Sequence, residues 1–213
     1  MKLISTLIMF FCTCSLSFSQ NRIDLNEIKK TVQDTSSIYF YDKIISEFNS
    51  NPLNIDTTVL KYIYYGKYYT KYNSSEIDLD YIDCIENTHK MKYKEAILSG
   101  ERLIKKDPTN INLIGYLIEC YDQIGDNSEK RKLYGDQMRT LINCVKYYGN
   151  GTKSAPYIVN SVGDEFFMCR ILVEKYKKCK RESELLKDGV LDILSRNEKK
   201  SYFKVLYNTG IYK

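Results

Sequence analysis

Asp164 and Glu165 stand side by side, and Glu76, Asp78, Asp80 and Asp83 crowd into one short stretch. Carboxylate chemistry is therefore the first to weigh. Two carboxyls facing one cleft roughly 5–10 Å apart can hydrolyse a glycosidic bond, and several acidic oxygens can hold a hard cation. The 76–83 stretch lacks the glycine of a calcium loop, and acids in the first turn of a helix are already stabilised by its dipole. Asp164 and Glu165 have the same structural reason to exist, or could pair with a basic residue or face a pocket. His89 is the sole histidine, so Ser–His and Cys–His hydrolases and most zinc sites would all have to be built on it. Its place between Thr88 and Lys90 reads as a solvated helix end. Gly149-Asn-Gly-Thr152 is not followed by Lys-Ser/Thr on a helix, so it reads as a turn and not a phosphate cradle. No catalytic, cofactor-binding or metal-ligating residue is assigned, and no cofactor is expected.

Tyrosine is the one residue type whose use points toward recognition. The chain has 20 Tyr and no Trp, and Tyr62, Tyr64, Tyr65, Tyr68, Tyr69 and Tyr72 are clustered around Gly66. Aromatic side chains are enriched where proteins meet partners. Tyr64, Tyr65, Tyr68, Tyr69 and Tyr72, with Tyr116 and Tyr121 further on, are the expected partner-binding residues. The competing reading is that Tyr replaces Trp and Phe in the core, with each hydroxyl finding a bond at its edge.

The first residues set an expected compartment. Lys2 precedes an apolar run from Leu3 to Phe11, and Ser17-Phe18-Ser19 places small residues before a cut at Gln20. This is the pattern of a cleavable secretory signal over residues 1–19. The run is too short to span a bilayer, and no later stretch is long and apolar enough to do so. Lipidation at Cys12 or Cys14 is the competing reading, but the residues before each fit a lipobox badly. The expected location is the periplasm or cell exterior, which argues against a nucleic-acid partner.

Residues 170–213 carry twelve Lys/Arg against six Asp/Glu, densest at Lys175, Lys177, Lys178, Lys180 and Arg181. Such a patch could meet an anionic surface or glycan; a solvated helix end explains it equally simply. The cysteines at 84, 120, 144, 169 and 179 are odd in number and irregular in spacing, with no CxxC, so at least one is unpaired.

Apolar spacing predicts helices over 24–48, interrupted near Asp34–Ser37, then Thr57–Gly66 behind an Asp56 cap, and Ile77–Met91. Lys67–Ser75 is expected to be a Tyr-rich loop. Three more helices follow: Tyr93–Lys106, stopped by Asp107-Pro108; Asn110–Ile124, stopped by Gly125-Asp126; and Ser128–Lys146. Beyond the Gly149 loop come a short strand at Ala155–Val159, a helix over Glu165–Lys178, and strands at Val190–Leu194 and Tyr202–Tyr207 joined through Arg196–Lys200.

The middle resembles a tetratricopeptide repeat. Ala96 matches its small position, Pro108 its terminal proline, Leu117 and Tyr121 the large positions of the next first helix, and Gly125-Asp126 its turn. Ile118 and Lys130 depart from the preferred Gly and Ala, and about one and a half repeats are recognisable. A pair this short needs flanking helices to cover its faces. Three landmarks in order, Tyr64-Tyr65-Gly66, then Tyr93–Asp126, then Gly149–Thr152 with Ser154–Val159 and Val162–Glu165, resemble the bacterial exported family called domain of unknown function 4919, over roughly residues 35–210. That resemblance implies fold, export and bacterial origin, and transfers no functional residue.

The expected architecture is α+β and mostly α: tetratricopeptide-like antiparallel helix pairs followed by a small antiparallel β-sheet. Residues 20–148 form the helical region and 149–213 an α/β segment packed on it as one globular unit. The expected function is a non-enzymatic protein- or peptide-binding module of the bacterial envelope. The alternative is an envelope hydrolase or glycan-acting enzyme built on Asp164 or Glu165 and a distant acid.

Overall fold

The computed structural model describes residues 23–73 and 79–206. The leader segment, Glu76, Asp78 and Tyr207 lie outside the described residues. Within them the chain is α+β and mostly helical. Helices α1 (Leu25–Gln33), α2 (Tyr41–Ser50) and α3 (Thr57–Tyr64) lead into α4 (Leu79–His89), α5 (Tyr93–Ile104), α6 (Ile111–Gln123) and α7 (Glu129–Tyr148). Strand β1 (Tyr157–Val159), helix α8 (Val162–Leu172) and strands β2 (Lys180–Leu186), β3 (Gly189–Arg196) and β4 (Lys199–Leu206) complete it.

Short polar side chains start the helices by satisfying their first free N–H groups. Asp24 caps α1, Asp56 caps α3, Asn110 caps α6, Ser128 caps α7 and Ser161 caps α8. Gly125 ends α6 in the left-handed region at φ 70°, and the Asp126 N–H donates back to the Tyr121 carbonyl at 3.0 Å. That is the bond which closes a Schellman turn.

Helices α4 to α7 pack consecutively against one another. The close approach of α4, α5 and α6 depends on Gly100. A Cβ there would stand 2.7 Å from Leu117 Cδ2 and 3.1 Å from the Cys84 sulfur. Helices α1 and α2 pack on α3, α2 and α3 on α7, and α8 on α6, so the α4–α7 stack is covered from both sides. The core runs from Ile28, Phe48 and Ile63 through Leu113, Leu117 and Leu141 to Val159, Met168 and Phe203.

The sheet has the order β1-β4-β3-β2. Strands β2, β3 and β4 form an antiparallel meander, as expected, while β1 adds parallel to β4 with Tyr157 opposite Phe203. Asn197 and Glu198, both at positive φ, make the two-residue turn between β3 and β4. Such turns match the twist of the strands they join.

Three elements differ from expectation. Helix α8 covers Val162–Leu172 and does not reach Lys178; Lys175 turns left-handed at φ 52° and a single 3-10 turn spans Tyr176–Lys178. The basic run predicted at a helix end therefore leads into β2, a strand with no expected counterpart. Its sequence, Lys-Arg-Glu-Ser-Glu-Leu-Leu, is exposed along nearly its whole length, so it carries no apolar alternation. Gly66–Tyr69 is a 3-10 turn with Gly66 and Lys67 buried, not an open loop.

Replacing Gly100 with Ile should overpack the α4–α5–α6 contact. The expected loss is about 1–3 kcal/mol, measured by urea denaturation, with unchanged helical circular dichroism in the folded baseline.

Candidate functional site

The first turn of α8 is where the two halves of the structure meet. The Ser161 hydroxyl accepts the Asp164 N–H at 3.0 Å, fixing the turn that carries Asp164 and Glu165. Both acids are fully buried, and they point to different neighbours.

Asp164 faces the helical region. One carboxylate oxygen accepts the Tyr64 hydroxyl at 2.8 Å and the other the Asn112 N–H at 3.2 Å. Asn160 binds the same tyrosine twice, its N–H to the hydroxyl at 3.3 Å and its side-chain amide to the Tyr64 carbonyl at 2.6 Å. Lys67, 5% exposed, pairs with Asp107 at 2.8 Å close by. Burial pushes the Asp164 carboxyl up to about 6; Asp107 adds to that, while Lys67 and the Tyr64 hydrogen bond oppose it.

Glu165 faces the sheet. Arg181 of β2 reaches its two oxygens at 3.0 and 3.2 Å and also reaches Asp192 of β3 at 3.1 Å. The Ser183 hydroxyl donates to Asp192, and the Phe166 ring lies under the Arg181 guanidinium, 4.8 Å away. Burial first, then the Asp192 charge, raises the Glu165 carboxyl to about 7, against the pull of Arg181. Perturbed acids can mark catalytic sites, but buried ion-pair networks perturb them equally.

Beside this junction lies an open groove of about 430 Å³ between α6 and α8. Asn112, Tyr116, Glu119 and Gln123 of α6 line one wall, with Phe167 and Arg170 of α8 on the other. The walls meet because α6 has a glycine at the contact: a Cβ on Gly115 would stand 2.2 Å from the Phe167 ring. Neither Asp164 nor Glu165 lines this groove.

A family model for a domain of unknown function, DUF4919, matches residues 26–209. The chain belongs to that family. No curated protein and no solved structure matches it.

The DUF4919 chain does not gather the seven sequence-selected tyrosines into one surface. Tyr64 and Tyr65 are wholly buried, edge to face 4.9 Å apart, and the Tyr65 hydroxyl donates to the Ile158 carbonyl at 3.2 Å. Tyr121 is buried as well, its hydroxyl donating to Glu101 at 2.9 Å. These three serve the core, because a hydroxyl with a partner can be buried with its ring. Tyr68, Tyr69 and Tyr72 are partly buried against the core, and Tyr69 lines a separate 320 Å³ hollow with Val32 and Phe40. Tyr116 alone of the seven lines the α6–α8 groove, with His89 edge-on to it at 6.3 Å.

Asp80 pairs with Arg102 at 2.6 Å. Among the described residues no group of three or more His, Cys, Asp or Glu could hold a metal ion. Gly149–Thr152 is a turn: a Cβ on Gly149 would stand 2.4 Å from the Pro156 carbonyl oxygen, and the Gly151 carbonyl accepts the Tyr202 N–H at 3.0 Å. The five described cysteines are all unpaired, and burial pushes the Cys84 and Cys169 thiols up to about 12. Sequence reasoning missed Lys67, Asp107, Asn112, Asn160, Arg181 and Asp192 as parts of one junction. Asp192 did leave a trace, as a lone charge in the apolar run Val190-Leu-Asp-Ile-Leu194.

Arg181→Met would leave Glu165 and Asp192 buried without their cation. Because Arg181 is itself about one-third exposed, the expected loss is about 3 kcal/mol by chemical denaturation, the low end for a broken buried pair. Adding Asp192→Asn should restore part of it, which a double-mutant cycle measures directly.

Proposed function

We propose that this protein is an exported, non-enzymatic binding module that takes an extended peptide or protein segment along the groove between α6 and α8. The observation that carries this reading is the groove itself. One wall is a repeat helix and the other is α8, anchored at its first turn by buried polar bonds. Tyr116 and Phe167 offer aromatic faces for a side chain. Asn112, Glu119, Gln123 and Arg170 offer donors and acceptors for an extended backbone. A preformed concave site with a few convergent polar groups is the form small ligands and peptide segments use. Export is supported by the leader pattern of residues 1–19.

The geometry gives less support to a hydrolase built on paired carboxylates. That chemistry needs two acids open to one cleft. Asp164 and Glu165 are closed off from solvent, bonded to different partners and outside the groove lining.

Peptide-display selection on the purified chain, followed by fluorescence anisotropy, tests the binding reading. Tyr116→Ala should weaken a selected peptide about tenfold or more, the scale of an aromatic anchor. Tyr147→Ala, which lines a different hollow on α7, should leave it unchanged. Failure to select any peptide, or equal affinity for wild type and Tyr116→Ala, would remove the groove from consideration.

A further inference from the structure

The two acids of α8 share an imbalance. On one side Asp164 lies within electrostatic reach of Asp107 and of a single cation, Lys67, which itself pairs with Asp107 at 2.8 Å; on the other Glu165 and Asp192 both bond a single cation, Arg181. Each cluster thus brings two carboxyls to one positive charge, and the two lie on consecutive residues of one helical turn. The remaining groups that face them do not supply the missing charge. Tyr64 of α3, the Asn112 N–H of α6 and Tyr81 of α4 surround Asp164. Ser183 of β2 and the Cys169 thiol, 4.0 Å from Glu165 within α8 itself, surround the other cluster. The positive end of the α8 dipole helps both acids, but only as a partial charge. An uncompensated charge in a site closed to water is costly, and the usual remedy is to hold a proton.

We propose that α8 is seated by proton uptake: its first turn docks with one proton held in each carboxylate–carboxylate–cation cluster, and the seat loosens as those protons leave. The direction follows from linkage. Both acids have folded-state values raised above their ordinary ones, to about 6 and about 7. A raised carboxyl stabilises the docked state fully below its ordinary value and loses that contribution as pH rises through the folded value. Docking is therefore tightest in mild acid and weakest above about pH 7. Because α8 forms one wall of the groove, deprotonation would widen it. The proton linkage itself does not require that the groove bind anything.

Hydrogen exchange of the α8 amides, read by mass spectrometry on the full chain and corrected for the intrinsic pH dependence of exchange, tests this. Protection of 162–172 should fall up to about tenfold per pH unit for each extra proton the docked state holds, from about pH 4 to about pH 7, then level off. Glu165→Gln leaves Asp192 alone with Arg181 and should flatten that slope by one proton while raising protection at pH 7.5. Asp192→Asn, balancing the same cluster from β3, should do likewise and serves if the first variant folds poorly. Protection of α8 that does not vary with pH would overturn the proposal. So would an unchanged slope in both variants, or a parallel loss in α7, which supplies no group to either cluster.

Discussion

Helix α8 enters a space already bounded by α3, α6, β2 and β3, and it enters acid-first. Ser161 caps it, and the third and fourth helical residues, Asp164 and Glu165, are fully buried in that space. Each unpaired buried carboxylate would cost several kcal/mol, by the desolvation scale for buried charge. Neighbouring elements therefore have to bring partners to defined points: a tyrosine hydroxyl and a backbone N–H for one acid, a guanidinium for the other. Tyr64 is placed by α3, Asn112 by the start of α6 and Arg181 by the first residues of β2. The positions of three elements distant in sequence are set by one helical turn.

This requirement also explains how the consecutive stack α4–α7 is closed at its two faces. Four helices of this kind leave two faces open, and in long arrays the neighbouring repeats cover them. Here α2 and α3 cover α7, while α8 covers α6 by laying Phe167 on the bare backbone of Gly115. Helix α8 thereby closes the face of α6, and the sheet holds that helix down through Arg181 and Asp192.

The helical elements were legible because their signals are local. Apolar spacing placed α1 to α7, and Asp56, Pro108 and Gly125 marked ends where the structure has them. The junction was not legible, because its partners are far apart in the chain and individually ordinary: a lysine in a tyrosine run, an aspartate before a proline, an arginine in a basic stretch. The tyrosine set misled for a related reason. A ring with a hydroxyl suits both a recognition surface and a buried position with a partner, and sequence does not reveal whether an Asp164 or a Glu101 waits at the other end.

Strand β2 escaped notice because it is charged, and that charge has a use of its own. Among the described strands it is one edge of the sheet, with β1 at the other, and an edge strand's N–H and C=O groups invite another strand to add. Lys180, Glu182 and Glu184 recur at every second position on one face, so a strand pairing there would have to set its own side chains beside a row of ionised groups. Charge on an edge strand of this kind opposes edge-to-edge growth of the sheet. The residues that conceal the strand from hydrophobic patterning are the ones that keep it the last.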